Sequence, residues 1–427
     1  MTPPARVQAA IGILDSIIAA ARGNGAPADR ILAEWARANR YAGSGDRRAI
    51  RDLVYDGIRC CGEVPVSGRA AMLALAKARP ELRDLFDGSR HAPAPIESGE
   101  PVANIDTAPR WLREELQASG LDREEQDALT GRAPLDLRVN VLKASRDTLV
   151  LPVPAEPTAA PDGLRLSGGQ RVEEWPQWQA GEIEVQDTGS QLACVAARAE
   201  PGMMVVDLCA GAGGKTLALG AAMANEGRII ACDTSRMRLG RLPSRADRAG
   251  VTIAESRLLN PLQERDHFHD ILGGNPAEAD SADPPVAAGD GAVAGRPVSD
   301  GALMGRLGTA DLVLVDAPCS GTGTWRRNPE ARWRVTPAIL KEHAALQARL
   351  LDLAAELVRP GGQVSYVVCS LLDIEGADQA AAFLERHPQF ASAVPQLPLG
   401  RARGTGIRLT PAHDQTDGFF IANFRRT

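Results

Sequence analysis

From about residue 200 the chain alternates short apolar runs with helical stretches, and this pattern restricts its architecture more than anything else in it. The runs are Met203-Met-Val-Val-Asp-Leu208, Arg228-Ile-Ile-Ala-Cys232, Leu312-Val-Leu-Val315 and Gln363-Val-Ser-Tyr-Val-Val368. A strand with one wet face alternates apolar and polar residues, whereas a strand covered by helices on both faces does not. Such runs between helices predict an α/β fold with a doubly wound parallel sheet. One crossover helix is expected from about Pro337 to Val358, where Leu340, Leu346, Leu350, Leu353 and Leu357 recur at helical spacing. It should stop at Arg359-Pro-Gly-Gly362, since proline and glycine do not continue a helix.

The first part of the chain reads differently. Val7, Ile11, Leu14 and Ile18, and again Ile50, Leu53, Val54 and Ile58, follow helical spacing, so 1–95 is expected to form an all-α domain. A proline-rich stretch, about 91–104, has a linker's composition. Within 105–195, Leu135-Asp-Leu-Arg-Val-Asn-Val-Leu142 alternates as a strand does, in what should be a small α+β module. The α/β core then occupies 196–427. Inside it, 263–309 is rich in Gly, Ala, Pro and Asp without periodicity, and 261–306 holds eight acids against three bases. An aperiodic stretch of that length is expected to be a disordered acidic insertion.

Composition narrows the classes. The 427 residues carry 54 acids against 48 bases, a net charge of -6, which argues against a protein that coats nucleic acid indiscriminately. Seven cysteines, an odd number without a Cys-x-x-Cys pair, predict neither disulfides nor a zinc site, so no metal is expected. With no run of about 20 apolar residues and no signal-like start, the chain is expected to be soluble, cytoplasmic and free of the membrane. It is also expected to be a monomer.

Two motifs carry chemistry. The first strand leads into Asp207-Leu-Cys209-Ala210-Gly211-Ala212-Gly213-Gly214-Lys215-Thr216, a glycine-rich turn opening a helix. A phosphate-binding loop would need glycine where Cys209 stands, and a dinucleotide fingerprint would need it where Thr216 stands. The second strand ends at Asp233, about 20 residues on, where a carboxylate can accept both ribose hydroxyls. A turn with a ribose acid but no phosphate cradle suits S-adenosylmethionine, the alternative being a tight structural turn. The second motif, Asp316-Ala-Pro-Cys319-Ser-Gly-Thr-Gly-Thr-Trp325-Arg326-Arg327, follows another apolar strand, and Cys369-Ser370 leaves a further one. Two thiols at strand ends on one rim either face a common pocket or are buried separately.

In these residues the chain resembles the RsmB/Nop2/Sun family of RNA cytosine-5 methyltransferases. Asp316-Ala-Pro-Cys-Ser-Gly, Cys369-Ser370 and the Cys209–Thr216 loop match its motifs, with Glu184–Gln191 and Asp417-Gly-Phe-Phe-Ile-Ala422 flanking them. Asp46-Arg-Arg-Ala-Ile-Arg-Asp-Leu-Val-Tyr-Asp-Gly-Ile-Arg59 is similar to the NusB-like RNA-binding domain of its bacterial ribosomal members. The resemblance implies a Rossmann-like core using S-adenosylmethionine on RNA, with 16S ribosomal RNA as substrate. It implies Cys369 as nucleophile, Cys319 as the residue assisting release, and Asp316 on the base edge and beside the cofactor. Cys209, Ala210, Gly211, Ala212, Gly213, Gly214, Lys215 and Asp233 are then cofactor-binding. The sequence departs from the family at Ala212, usually Pro, at Val368, usually Thr, and at Asn260, where an adenine-binding Asp is expected. A transfer-RNA enzyme of the same family and a non-catalytic RNA-binding assembly factor are the alternatives. Trp325, Arg326, Arg327 and Trp333 are expected to form a rim for the strand that flanks the target base.

Overall fold

The computed structural model describes residues 1–23, 25–261 and 308–427. The expected acidic insertion, 263–309, therefore lies outside the described residues except for Gly308 and Thr309.

Four helices come first: α1 (Pro3–Arg22), α2 (Ala28–Ala38), α3 (Ser44–Cys60) and α4 (Gly68–Ala78). Among the described residues α1 alone has the length and hydropathy to cross a membrane. Its apolar face, Val7, Ile11, Leu14 and Ile18 included, is instead buried with Ile50, Val54 and Ile58 of α3 and Met72 and Leu73 of α4. The proline-rich stretch is tied down on this unit. Arg69 donates to the carbonyls of Ala94 and Pro95 and pairs with Glu100 at 2.6 Å, and Ala103 N donates to Ala70 O.

Helices α5 (Arg110–Ala118) and α6 (Arg123–Ala128) lead into a small antiparallel sheet of β1 (Leu135–Val139), β2 (Ala155–Pro157), β3 (Gly163–Leu166) and β4 (Ile183–Val185), in the order β2-β3-β1-β4. A short α7 (Pro176–Gln179) precedes β4. Helix α8 (Thr188–Ala197) follows and crosses the expected boundary at 195/196, since Leu192, Ala193 and Ala196 pack into the core of the next sheet.

That sheet is mixed, in the order β11-β12-β13-β9-β8-β5-β6-β7. Its parallel part comprises β5 (Met204–Asp207), β6 (Arg228–Asp233), β7 (Ala254–Leu258), β8 (Ala310–Asp316) and β9 (Val358–Val368). Beyond it, β10 (Phe390–Ser392), β11 (Arg401–Arg403), β12 (Gly406–Leu409) and β13 (Phe419–Arg426) close the sheet antiparallel, with β10 pairing on β13. Helices α9 (Gly214–Ala222), α10 (Arg236–Leu239), α11 (Leu242–Ala249), α12 (Pro337–Leu357), α13 (Ala377–Arg386) and α14 (Pro411–Asp414) make the connections. The continuous apolar runs follow from burial on both faces. Val206, Ile230, Val313, Val315 and Val364 point into a core with leucines of α12 and Phe383 of α13. Their neighbours Val205, Ile229, Leu312, Leu314 and Val367 point the other way, onto α8 and α9.

One segment joins the helical unit to the core. Arg332, fully buried, donates to the carbonyls of Ile58 (2.7 Å) and Cys61 (2.9 Å), and the Trp333 indole donates to Cys61 O at 3.1 Å. Glu330 accepts from Ala28 N at 3.0 Å.

Candidate active site

Four parallel strands end on one rim: β5 at Asp207, β6 at Asp233, β8 at Asp316 and β9 at Val368, with Cys369 next. Although β5 and β8 are adjacent, the chain travels from β5 out to β6 and β7 before returning to β8. The crevice beyond such a reversal is where open α/β sheets bind ligands. A cavity of about 510 Å³ opens there, its walls including Gly211, Asp233, Asp316, Cys319 and Cys369. That volume is within the roughly 300–1,000 Å³ of small-ligand sites.

Two glycines shape its wall. Gly211 and Gly213 have φ of 58° and 86°, a region that favours glycine. A Cβ on Gly213 would lie 2.2 Å from Leu242 Cδ1, so this glycine lets the turn press against α11. Around Gly211 nothing lies within 4 Å of that position, which leaves its backbone open to a ligand. Asp233 is held by the same turn, accepting from Gly211 N (2.9 Å), Ser235 N (2.6 Å) and Arg238 (3.1 Å). A carboxylate has about four acceptor positions, so capacity remains for a ribose hydroxyl. Behind the turn, Asp207 accepts from Thr216 Oγ1 at 2.7 Å, and burial pushes its carboxyl up to about 7.

Lys215 does not serve a phosphate. Its Nζ donates to Asp316 Oδ2 at 2.6 Å and sits 5.6 Å from the centre of the Phe419 ring. Burial would lower its pKa, but the Asp316 charge, the hydrogen bond to it and the neighbouring Cys194 and Cys369 thiols together outweigh that and hold the ammonium above its usual range. The turn thus offers an open backbone and a ribose acid while its lysine is committed to a carboxylate. That donor set fits S-adenosylmethionine, an adenosine ligand without phosphates. Cys209, Ala210, Gly211, Ala212, Asp233, Asp316, Cys319 and Cys369 line the cavity, whereas Gly213, Gly214 and Lys215 build the turn without reaching its wall.

The two thiols share the pocket, with Cys319 Sγ 3.4 Å from Cys369 Sγ. The hydrogen bond to Cys369, together with burial, pushes the Cys319 thiol well above its usual pKa. Their loops are laced together by the motif hydroxyls of Ser320, Thr322 and Ser370 and by Glu375, which lies outside the motifs. Buried Glu375 accepts from Ser320 N at 2.8 Å and from the Ser320 hydroxyl, while Tyr366 OH donates to Glu375 O at 2.5 Å. Ser370 Oγ lies 3.3 Å from Ser320 Oγ and 3.2 Å from Thr322 Oγ1. Burial pushes the Glu375 carboxyl up, but hydrogen bonds from His343, Ser320 and Ser370 outweigh it and leave the pKa lowered. A glutamate six residues beyond Cys369 gives no local signal, because its partners come from the other motif.

The expected aromatic and basic rim is not there. Trp325 is 0% exposed and Trp333 6% exposed, both packed in cores, and Arg326, 7% exposed, pairs with buried Asp417 at 2.9 Å. Only Arg327 is part-exposed, and it pairs with Asp187 at 3.0 Å and with Asp417. Large rings beside a catalytic motif were worth more as packing, and burying Arg326 required the carboxylate that Asp417 provides.

Fold and site together define a Rossmann-like methyltransferase that uses S-adenosylmethionine. The family model described as 16S rRNA methyltransferase RsmB/F matches residues 195–274 and 297–425. "Ribosomal RNA small subunit methyltransferase B" of Erwinia tasmaniensis is 30% identical over 398 residues, covering 89% of this chain and 82% of the relative. The protein of the same name from Xylella fastidiosa is 33% identical over 331 residues, covering 75% and 69%. The chain belongs to the RsmB/Nop2/Sun family of methyltransferases. In fold it is similar to the crystal structure of PH0851, with a TM-score of 0.73 at 23% identity over 100% of this chain and 99% of that one. It is similar too to a methyltransferase homologue from Pyrococcus horikoshii, with a TM-score of 0.56 at 23% identity over 75% and 100%.

Proposed function

We propose that the protein transfers a methyl group from S-adenosylmethionine to carbon 5 of a cytosine in RNA, the RNA being small-subunit ribosomal RNA as the relatives' names give for them. The observation that carries this reading is the pair of thiols 3.4 Å apart in the cavity walled by Gly211 and Asp233. Carbon 5 of cytosine is a poor nucleophile, and a thiolate that adds to carbon 6 converts the ring to an enamine. Cys369 makes that sulfur–carbon bond, and the displaced electron pair becomes available at carbon 5. The bound cofactor supplies an electrophilic methyl group. Asp316 holds the base edge with one carboxylate oxygen while Lys215 fixes the other. Release requires that Cys319, as its thiolate, take the carbon-5 proton, the C–H electron pair re-forming the double bond between carbons 5 and 6 as the sulfur–carbon bond breaks and its electrons return to Cys369. Cys319, at 3.4 Å from that sulfur, assists this step. Asp233 binds the ribose, and Gly211 lets the cofactor lie along the backbone. Residues 1–95 and 105–195 act as RNA-binding units, the first NusB-like, around the catalytic unit 196–427.

The test is methyl transfer from labelled S-adenosylmethionine to total RNA of a deletion strain, followed by nucleoside analysis. Label in 5-methylcytosine of small-subunit RNA is expected. Label in transfer RNA would move the substrate, and label in no cytosine would overturn the proposal.

A further inference from the structure

The topology brings the thiols of Cys319 and Cys369 together. Strands β8 and β9 are parallel neighbours with Asp316 opposite Val367, so the chain leaves the sheet at adjacent points of one rim, and each cysteine follows within three residues. The loops beyond are tied to each other, with Gly323 N donating to Cys369 O at 3.0 Å and Ser370 Oγ lying 3.3 Å from Ser320 Oγ. The sulfurs are thereby held 3.4 Å apart. A disulfide has its sulfurs about 2.05 Å apart, so the gap to be closed is roughly 1.4 Å, within reach of rotation about the two Cα–Cβ bonds. The cavity of about 510 Å³ beside them leaves room for that rotation.

A thiol reacts where it can ionise and where the reagent reaches it. Cys61, Cys194 and Cys232 are buried, and burial pushes all three thiols up. Cys209 lines the same cavity, but burial and the charges of Asp207, Asp316 and Asp233 hold its thiol well above the usual range. Cys319 and Cys369 are both part-exposed on the cavity wall. They are also unlike each other. Cys319 keeps its proton and donates it toward Cys369, because that hydrogen bond and burial push its pKa up. The Lys215 ammonium lies close enough to Cys369 to interact with a charge on its sulfur.

We propose that Cys319 and Cys369 also form a peroxide-sensitive switch, closing reversibly into a disulfide that removes both sulfurs from the chemistry. The Cys369 thiolate attacks one oxygen of hydrogen peroxide, the O–O bond breaks, and hydroxide leaves as Cys369 becomes a sulfenic acid. The Cys319 sulfur then attacks the Cys369 sulfur, the S–O bond breaks, and a second hydroxide leaves. The two thiol protons end on the two hydroxides, so two thiols and one peroxide give one disulfide and two waters. A dithiol reverses the closure by exchange and is itself oxidised to a disulfide.

The loss of activity rests on the cytosine-5 reading above, whereas the bond itself does not. With its electron pair shared between the sulfurs, Cys369 cannot add to carbon 6 and Cys319 cannot take the carbon-5 proton. The neighbour that keeps the oxidation reversible is already in place. A sulfenic acid without a second thiol passes on to a sulfinic acid, which a dithiol does not reduce. Cys319, 3.4 Å away, intercepts the first product.

The experiment treats the reduced full chain with hydrogen peroxide, without RNA or cofactor, then blocks free thiols with iodoacetamide and maps the peptides by mass. The expected product is a cross-linked pair of peptides carrying Cys319 and Cys369, two hydrogens lighter than their sum, with Cys60 and Cys209 still alkylated. Methyl transfer by the same samples should be lost in proportion to the cross-link and return to the starting rate after dithiothreitol. In Cys319→Ala the Cys369 peptide should instead gain two oxygens that dithiothreitol does not remove. A wild type whose Cys369 gains two oxygens as fast as in that variant, or joins Cys209, would overturn the proposal, as would a cross-linked protein that keeps its full rate. Because the cross-link is read without RNA, a protein that forms it reversibly but methylates no cytosine when reduced would refute the proposed function and leave the disulfide standing. Methylation that requires Cys369 in a protein that never cross-links would refute the switch alone.

Discussion

Replacing Glu375 by alanine removes the acceptor on which both thiol-bearing loops converge. The side chain is fully buried, and it accepts from Ser320 N at 2.8 Å and from the Ser320 hydroxyl. Stranding the buried N–H costs roughly 1–3 kcal/mol, and losing a bond to a charged acceptor about 1.5–3 kcal/mol more. The expected loss is therefore roughly 3–6 kcal/mol, a large share of the total stability of a folded domain. Glu375→Gln keeps the size and one carbonyl acceptor, so its loss should be roughly half as great. A pH dependence follows from the lowered pKa of Glu375. A depressed carboxyl contributes stability that is present above its unfolded value, about 4.5, and is lost as pH falls through the lower folded value. The gap between wild type and Glu375→Gln should accordingly be full at neutral pH and narrow in acid. Turnover should fall as well, because a displacement of about 1 Å between reacting groups costs on the order of 100-fold. Chemical denaturation at several pH values, with single-turnover methyl transfer, measures both effects. A Glu375→Ala protein with the wild-type unfolding midpoint and rate would refute the reasoning.

Gly213→Ala should destabilise by roughly 1–3 kcal/mol, because it forces alanine to a φ of 86° and puts its Cβ 2.2 Å from Leu242 Cδ1; an unchanged melting temperature would count against the packing described for the turn. Asp233→Ala should weaken S-adenosylmethionine binding roughly 10- to 100-fold, the worth of one hydrogen bond to a charged group, with RNA affinity unaffected. Calorimetric titration of the cofactor checks this, and equal affinities would remove Asp233 from the ribose role.

The parallel sheet was legible in the sequence because burial on two faces leaves an uninterrupted apolar run, as Val205 and Val206 show by pointing to opposite cores. Asp233 was legible for a similar reason, being at the fixed spacing that two strands and a helix impose. What a linear pattern does not carry is partnership across the chain. Glu375 acquires its role from Ser320, and Arg326 and Arg327 are drawn inward by Asp187 and Asp417, which lie far away in sequence. Trp325 and Trp333 show the same limit, since a ring next to a motif reads alike whether it faces solvent or core.

The central claim is that Cys369 forms the bond to the base and Cys319 assists in breaking it. Its most direct measurement is denaturing electrophoresis of Cys319→Ala and Cys369→Ala proteins after incubation with RNA and labelled S-adenosylmethionine. The account predicts a methylated protein–RNA adduct that accumulates with Cys319→Ala and is absent with Cys369→Ala. An adduct that persists without Cys369, or methylation at the wild-type rate by the Cys369→Ala protein, would contradict it.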